Sequence, residues 1–232
     1  MSETVVITGA NRGIGLAFVR HYAQAGATVY AGCRSPEQAG DLASLAAASG
    51  GRVQILPLDV VNPAHIANLR AVLGDRPVDI LLNNAGTYGQ DDAHFGHTDE
   101  EAWLRAFRIN TIAPVKIAEA LVENVAASRR RVIACLSSKM GSIDDNGSGG
   151  SYVYRSSKVA LNMCVKSMSI DLAPRGITVV AFHPGWVLTE MGGPNAEIDA
   201  ETSVAGMTGV IEQLSSGDSG KFLEYDGQEI PW

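Results

Sequence analysis

The 232-residue chain has only three cysteines, few aromatic residues (6%) and fewer basic than acidic side chains, for a formal net charge of -7. Cys33, Cys135 and Cys164 stand far apart, without the paired spacing of a metal knuckle or a dithiol redox motif. An odd, unpaired set of thiols fits a reducing compartment. The negative balance repels polyphosphates and anionic lipid, which argues against nucleic acid and membrane surfaces as partners. No uninterrupted apolar run reaches the roughly 18 residues that span a bilayer. Strand-like residues begin by Thr4, with no basic and apolar leader before them. These absences lead us to expect a cytoplasmic protein. His21, His65, His94, His97 and His183 lack the mutual spacing of a ligand set, so no metal is expected.

What is present is an apolar content of 46%, enough for a substantial core, arranged in a repeating pattern. Short β-branched runs at Thr4–Thr8, Thr28–Gly32, Val53–Leu58, Val78–Leu82, Val132–Leu136 and Thr178–Phe182 alternate with longer stretches of helical periodicity. The first of these helices is expected over Ile14–Ala25, stopped by Gly26. A long one is expected around Trp103–Ala127, another over Tyr152–Leu172 and a last one over Thr202–Leu214, with Lys221–Leu223 as a short edge strand. Strands separated by crossover helices pair in parallel. No linker divides the chain, so we expect one domain over residues 1–232, an α/β fold with a single Rossmann-type doubly wound sheet of about seven strands and helices on both faces.

Directly after the first strand comes Thr8-Gly9-Ala10-Asn11-Arg12-Gly13-Ile14-Gly15. Glycine at a strand end permits a tight turn, a second lets backbone approach a pyrophosphate, and a third lets the following helix pack closely. The helix N-terminus then offers free N–H groups and its positive dipole end to an anion. Context distinguishes this turn from a purely structural one, because it sits at the first strand–helix junction of a repeating pattern. At the end of the second strand, where a carboxylate would hold the ribose hydroxyls of NAD(H), stands Ala31-Gly32-Cys33-Arg34, with no acid before Glu37. Arg12 and Arg34 suit a 2′-phosphate, which favours NADP(H) over NAD(H).

Tyr154 and Lys158 lie four residues apart in a helical segment and therefore share a face. An ammonium there is expected to favour the phenolate and bring a group that titrates near ~10 into range for acid–base work. Leu136-Ser137-Ser138-Lys139 ends a strand and places a hydroxyl where it could polarise a carbonyl. Asn83-Asn84-Ala85-Gly86 follows the fourth strand, and Asn110 falls in a helical stretch, a position that disfavours asparagine.

The Thr-Gly-x-x-x-Gly-x-Gly turn, the Asn-Asn-Ala-Gly segment and the Tyr-x-x-x-Lys pair resemble the short-chain dehydrogenase/reductase family over nearly the whole chain. The resemblance implies a tetrad of Asn110, Ser138, Tyr154 and Lys158, with the asparagine supporting a water relay to the lysine. It implies that Asp59 and Val60 flank the adenine and that Asn84, Ala85 and Gly86 lie beside the adenosine ribose. Pro184, Gly185, Val187 and Thr189 would face the nicotinamide. Gly141 to Asn146, His183 to Val187 and the final Pro231-Trp232 look like the carbonyl-reductase, sniffer-like and C-factor-like branch. Sixteen residues separate Ser138 from Tyr154, longer than the commonest family spacing, so the loop with Gly147, Gly149 and Gly150 must bulge. Ser142 is then a rival to Ser138, and Tyr152 a lesser rival to Tyr154. Trp186 and Met191 are candidates for lining a substrate pocket.

The implied activity is reduction of a small aldehyde or ketone with NADP(H). The alternatives are an NAD(P)+-dependent alcohol or hydroxysteroid dehydrogenase and a C-factor-like signalling protein that binds a dinucleotide. The family implies a homodimer or homotetramer. The cofactor assignment generates a test: Arg34→Asp should weaken NADPH by ten- to hundredfold, the worth of a charge-assisted hydrogen bond of about 1.5–3 kcal/mol, and leave NADH nearly unchanged. Equal losses in titrations of the two cofactors would count against it.

Overall fold

A computed structural model describes residues 2–232. Seven strands, β1 (Thr4–Thr8), β2 (Thr28–Cys33), β3 (Val53–Pro57), β4 (Ile80–Asn83), β5 (Val132–Leu136), β6 (Thr178–His183) and β7 (Phe222–Glu224), form one sheet in the order β3-β2-β1-β4-β5-β6-β7. Every neighbouring pair is parallel. The helices are α1 (Gly13–Gln24), α2 (Gly40–Ala48), α3 (Pro63–Leu73), α4 (Glu100–Phe107), α5 (Ala113–Ala126), α6 (Tyr152–Asp171) and α7 (Ala200–Gln213). Among the described residues no helix is long and apolar enough to cross a membrane.

Side-chain alternation along each strand feeds two cores. Val5, Ile7, Val29, Leu82, Ala134 and Phe182 point to one face, where Phe18 and Val19 of α1, Leu42 of α2 and Met207 and Ile211 of α7 cover them. Val6, Tyr30, Leu81, Ile133 and Val179 point to the other, under Leu69 of α3, Leu121 of α5 and Leu161 of α6. Both faces being dry, the strands read as near-continuous apolar runs.

Two strand starts differ from the expectation. β4 begins at Ile80 because the Val78 N–H is drawn to the Asn124 carbonyl, 3.0 Å away, outside the sheet. β7 begins at Phe222, one residue after Lys221. A larger difference concerns the helix expected around Trp103–Ala127, which is two helices joined by a π-helical turn, Arg108–Ile112. Pro114 gives the reason: an α-helix would require its missing N–H for the Asn110 carbonyl, and its ring would collide there. The chain widens the turn instead, and the Ala113 N–H reaches back to the Arg108 carbonyl.

Strand order reverses between β1 and β4, and ligands of such sheets bind in the crevice outside the C-terminal strand ends at that point. A small polar knot closes this crevice. The Thr8 Oγ1 accepts hydrogen bonds from the Asn84 and Ala85 N–H groups at 3.0 and 2.9 Å, and the Asn84 Nδ2 donates to the Thr8 and Gly9 carbonyls at 2.8 and 3.1 Å. Thr8→Val keeps the shape of the side chain and strands two backbone donors. It should cost about 2–6 kcal/mol in urea unfolding, at about 1–3 kcal/mol for each unsatisfied group, and raise the KM for the dinucleotide.

Candidate active site

The glycine turn leaves β1 with Gly9 at φ +66° and enters α1 through Gly13 at φ +53°. Gly15 is fixed by contact: a Cβ there would lie 2.1 Å from the Gly9 carbonyl oxygen. The α1 N-terminus carries no side-chain cap at Arg12 and no acid in its first turn, so its backbone N–H groups and positive dipole end are left for an anion. Asn11 and Ile14 are half-buried within the turn. The Arg12 side chain is exposed and ion-paired with Glu190, and Arg34 is exposed just past the end of β2.

The remaining predicted contacts lie along the same edge of the sheet. After β3, the Asp59 Oδ1 accepts from the Val61 N–H at 3.2 Å, and Val60 is buried. After β4 come Asn84, Ala85 and Gly86. After β6 the chain runs through Pro184, Gly185 at φ +82° and buried Val187, then crosses back until the Thr189 methyl is 3.2 Å from where a Gly13 Cβ would stand. The resulting cleft, with an uncapped helix N-terminus, close-packed glycines and two exposed arginines at one end, fits a phosphorylated dinucleotide. Trp186, Leu188 and Met191 are half-exposed on the returning loop, with the Trp186 indole N–H donating to the Gly192 carbonyl at 2.7 Å.

The proton-transfer candidates meet at the end of β5. Ser138 caps a short 3-10 turn, its Oγ accepting from the Met140 N–H at 3.2 Å, and its hydroxyl stands alongside the Tyr154 phenol. Tyr154 and Lys158 both project from the buried side of α6, only 8% and 4% exposed. The Lys158 Nζ donates to the Leu136 carbonyl at 2.7 Å and lies 5.7 Å from the centre of the Tyr154 ring. Asn110, fully buried in the π turn, accepts from the Thr87 N–H at 2.9 Å and donates to the Thr87 carbonyl at 2.8 Å and to the Ser157 Oγ at 2.9 Å. Gly86 separates two of these groups: a Cβ on it would come within 3.4 Å of the Asn110 Oδ1 and 3.6 Å of the Lys158 Nζ.

The expectation that Lys158 depresses the tyrosine needs correction. Burial pushes the Tyr154 phenol up to about 12, with the Ser138 hydroxyl pulling down and Tyr88 pushing up. Burial also draws Lys158 down to about 8, opposed by the Cys135 thiol. The ammonium is turned towards a backbone carbonyl and the ring face, so desolvation dominates at both groups.

Ser142 is occupied elsewhere, its hydroxyl donating to the Trp232 main-chain oxygen at 3.3 Å and accepting from the Asp145 N–H at 3.0 Å. Tyr152 faces outward beside Phe95, at the mouth of the helix. The long loop bulges as expected, with Gly149, Gly150 and Ser151 all left-handed. Three participants escaped the sequence reading. Ser157 ties α6 to Asn110, Thr87 receives both ends of the Asn110 amide, and Tyr88 stacks on Tyr154. Position alone could have flagged Thr87 and Tyr88, which directly follow Asn-Asn-Ala-Gly, and Pro114 could have flagged the π turn.

Residues 3–199 match the family model described as short chain dehydrogenase. The chain belongs to the short-chain dehydrogenase family. Among solved structures, this short-chain dehydrogenase superposes on the carbonyl reductase Sniffer of D. melanogaster with a TM-score of 0.92 and 34% identity, covering all of both chains. An NADPH-bound carbonyl reductase from chicken fatty liver gives a TM-score of 0.91 and 33% identity, covering 100% of this chain and 99% of the other. A Myxococcus xanthus protein named C-signal is 46% identical over 156 residues, 67% of this chain and 93% of the relative. The family is thus shown, together with its carbonyl-reductase, Sniffer-like and C-signal-like branch, and the chain is an oxidoreductase by family.

His183 ends β6 beside this site, half-buried, with its buried Nδ1 lacking any partner among the described residues and its Nε2 3.9 Å from a Glu224 carboxylate oxygen. Burial, reinforced by Lys139 and opposed by Asp145, lowers its pKa to about 4. The unfolded chain takes up this proton near ~6.5 and the folded one does not. Stability is therefore complete above that value and falls as the pH drops towards 4. His183→Gln should flatten this acid limb by about 3 kcal/mol between the two pKa values, read from urea unfolding at each pH. An unchanged limb would remove His183 as its source.

Proposed function

We propose that the chain, acting as one catalytic domain over residues 1–232, is an NADP(H)-dependent carbonyl reductase that converts an aldehyde or ketone to the alcohol. What supports the reading is the convergence of Ser138, Tyr154 and Lys158 at the same edge of the sheet as an uncapped helix N-terminus, with Arg12 at that N-terminus and Arg34 just past the end of the neighbouring β2. Similarity to an NADPH-bound carbonyl reductase supports the choice of cofactor. Arg12 and Arg34 would hold a 2′-phosphate, the Gly9–Gly15 turn the pyrophosphate, Asp59 and Val60 the adenine side, and Pro184 to Thr189 the nicotinamide side. When bound, the nicotinamide supplies a hydride to the carbonyl carbon.

The chain's own residues do the rest. Ser138 donates a hydrogen bond to the carbonyl oxygen as negative charge builds there, a stabilisation realised most fully in the transition state. Tyr154 gives its proton to that oxygen. A pKa well above neutrality keeps the proton in place until the developing alkoxide, a stronger base, draws it off. Lys158 holds positive charge near the phenol, and Asn110 supports the route by which the proton is restored. The same groups run the oxidation of an alcohol when the oxidised cofactor dominates.

Exposed Leu104 on α4, Ile112 in the π turn and Met163 and Ile170 on α6 support a homodimer or homotetramer joined through these helices, and a monomer in sedimentation equilibrium would remove that part of the proposal. Similarity to C-signal favours a second reading, in which the bound dinucleotide serves signalling and turnover is incidental. The deciding experiment follows NADPH and NADH oxidation over a panel of aldehydes, ketones, diketones and quinones, with Tyr154→Phe alongside. The variant should fold and bind NADPH normally and lose about 10²–10⁴-fold in turnover, the usual worth of a general acid. Near-normal turnover in Tyr154→Phe would falsify the proton-donor role. Tight NADPH binding without turnover by the native chain favours the signalling reading.

A further inference from the structure

The loop after β4 carries an aromatic ring that the proposed reaction does not call for. Tyr88 stacks on Tyr154 with ring centroids 4.7 Å apart and planes inclined by 26°. Its hydroxyl lies 2.8 Å from the Ser151 Oγ, and Ser151 is the N-cap of α6, the helix that carries Tyr154. One side chain therefore touches both the phenol and the start of the helix beneath it.

We propose that Tyr88 is a positioning residue for the proton donor, packing the Tyr154 ring into its working plane while its hydroxyl holds the N-terminus of α6 through Ser151. The assignment rests on reading Tyr154 as the donor. Three observations carry it. The first is that Tyr88 is itself held. The residue before it binds both ends of the Asn110 amide, and a Cβ on Gly89 after it would lie 2.7 Å from the Val153 Cγ1, so the loop is pressed against α6. The second is the conformation of Ser151, left-handed at φ 47° and ψ 40° and preceded by two more left-handed residues. A serine in that region is strained, and such strain persists only where neighbours enforce it. The bond to Tyr88 is such a restraint, and α6 starts in its present direction because Ser151 stays there.

The third is electrostatic. Stacked aromatic rings present their electron-rich faces to each other, which disfavours a negative charge on either. The groups that face Tyr154 are Lys158 from its own helix, Ser138 from the end of β5 and Tyr88 from the loop after β4, with the Cys135 thiol of β5 acting through Lys158. Of those that act directly on the phenol, Ser138 favours ionisation and Tyr88 opposes it. Tyr88 thus keeps the proton on Tyr154 while orienting it.

The test uses the full-length protein with tyrosine labelled at Cζ with carbon-13, Tyr154→Phe serving to assign the Tyr154 resonance. Tyr88→Leu removes ring and hydroxyl, Tyr88→Phe and Ser151→Ala each remove one side of the hydroxyl contact, and the double variant closes a cycle. In Tyr88→Leu the Tyr154 titration midpoint and the alkaline limb of kcat/KM should both fall, since the group that opposes ionisation is gone. Its kcat should drop about tenfold, with the KM for NADPH unchanged. Tyr88→Phe and Ser151→Ala should each lower kcat severalfold, and the double variant no further than either one. An unmoved midpoint, or losses that multiply in the double variant, overturns the proposal. Should Tyr88→Leu not fold, the Tyr88→Phe and Ser151→Ala cycle decides by itself. Should the native chain reduce no carbonyl, the reductase reading fails, while the Tyr154 titration still reports whether Tyr88 governs that phenol.

Discussion

The junction between β1 and β4 constrains the rest of the molecule. At that point the chain must turn sharply, start a helix and leave its first amides unpaired, all against a neighbouring strand that is ending as well. The Thr8 hydroxyl and the Asn84 amide satisfy the backbone groups that this geometry exposes. With those groups paired, Gly15 can lie against the Gly9 carbonyl and α1 can pack directly on the sheet. Placement of α1 sets where an anion is held, and the strand ends on either side then define a cleft with a phosphate end and a chemical end. Asn84 forms the corner of this frame through its Nδ2, and Asn83 beside it is turned inward to the Pro114 carbonyl at 3.3 Å.

Much of this arrangement is visible in the residue order, for identifiable reasons. Parallel strands covered on both faces must be apolar along their whole length, so the runs around Val5, Val29, Ile133 and Val179 stand out and their crossover connections follow. The glycine turn is legible because the close approach at Gly15 tolerates no other side chain. Tyr154 and Lys158 are legible because one helical turn joins them. The illegible parts depend on contacts between distant segments. Thr87 and Asn110, Ser157 and Asn110, and Tyr88 and Ser151 are pairs separated by 23, 47 and 63 residues, and neither member of a pair announces the other. The ionisation behaviour of Tyr154 is hidden from the sequence for a related reason. Helical spacing shows that an ammonium is near, but only the packed structure shows that it is turned to the Leu136 carbonyl and that both groups are desolvated.

The chemical end is assembled from three pieces: the 3-10 turn after β5, the α6 helix and the π turn between α4 and α5. The two turns are each tied to α6. Asn162 of α6 accepts from the Ser137 hydroxyl at 2.6 Å and donates to the Gly141 carbonyl at 3.0 Å, which locks the serine-bearing turn to the helix. The Thr111 hydroxyl donates to the Ser157 carbonyl at 2.8 Å from the other side. Substrate-facing loops can vary around this assembly while the acid–base groups hold their relative positions, which suits a scaffold whose specificity resides in loops.

The π turn has a consequence for how the chain can change. A helix that runs through Arg108–Ile112 with one residue more per turn is out of phase with a regular helix before and after it. Deleting one residue there would remove the extra residue of the wide turn and rotate α4 by about a hundred degrees against α5, while Pro114 would still leave a carbonyl of the preceding turn without its partner. Asn110 would then point away from Ser157 and Thr87, and the indole N–H of Trp103 would lose the Ser156 hydroxyl it now meets at 2.7 Å. Substitutions in this segment can accumulate one at a time, whereas a change of length breaks every contact at once, so its residue count is under tighter constraint than the identity of most of its side chains.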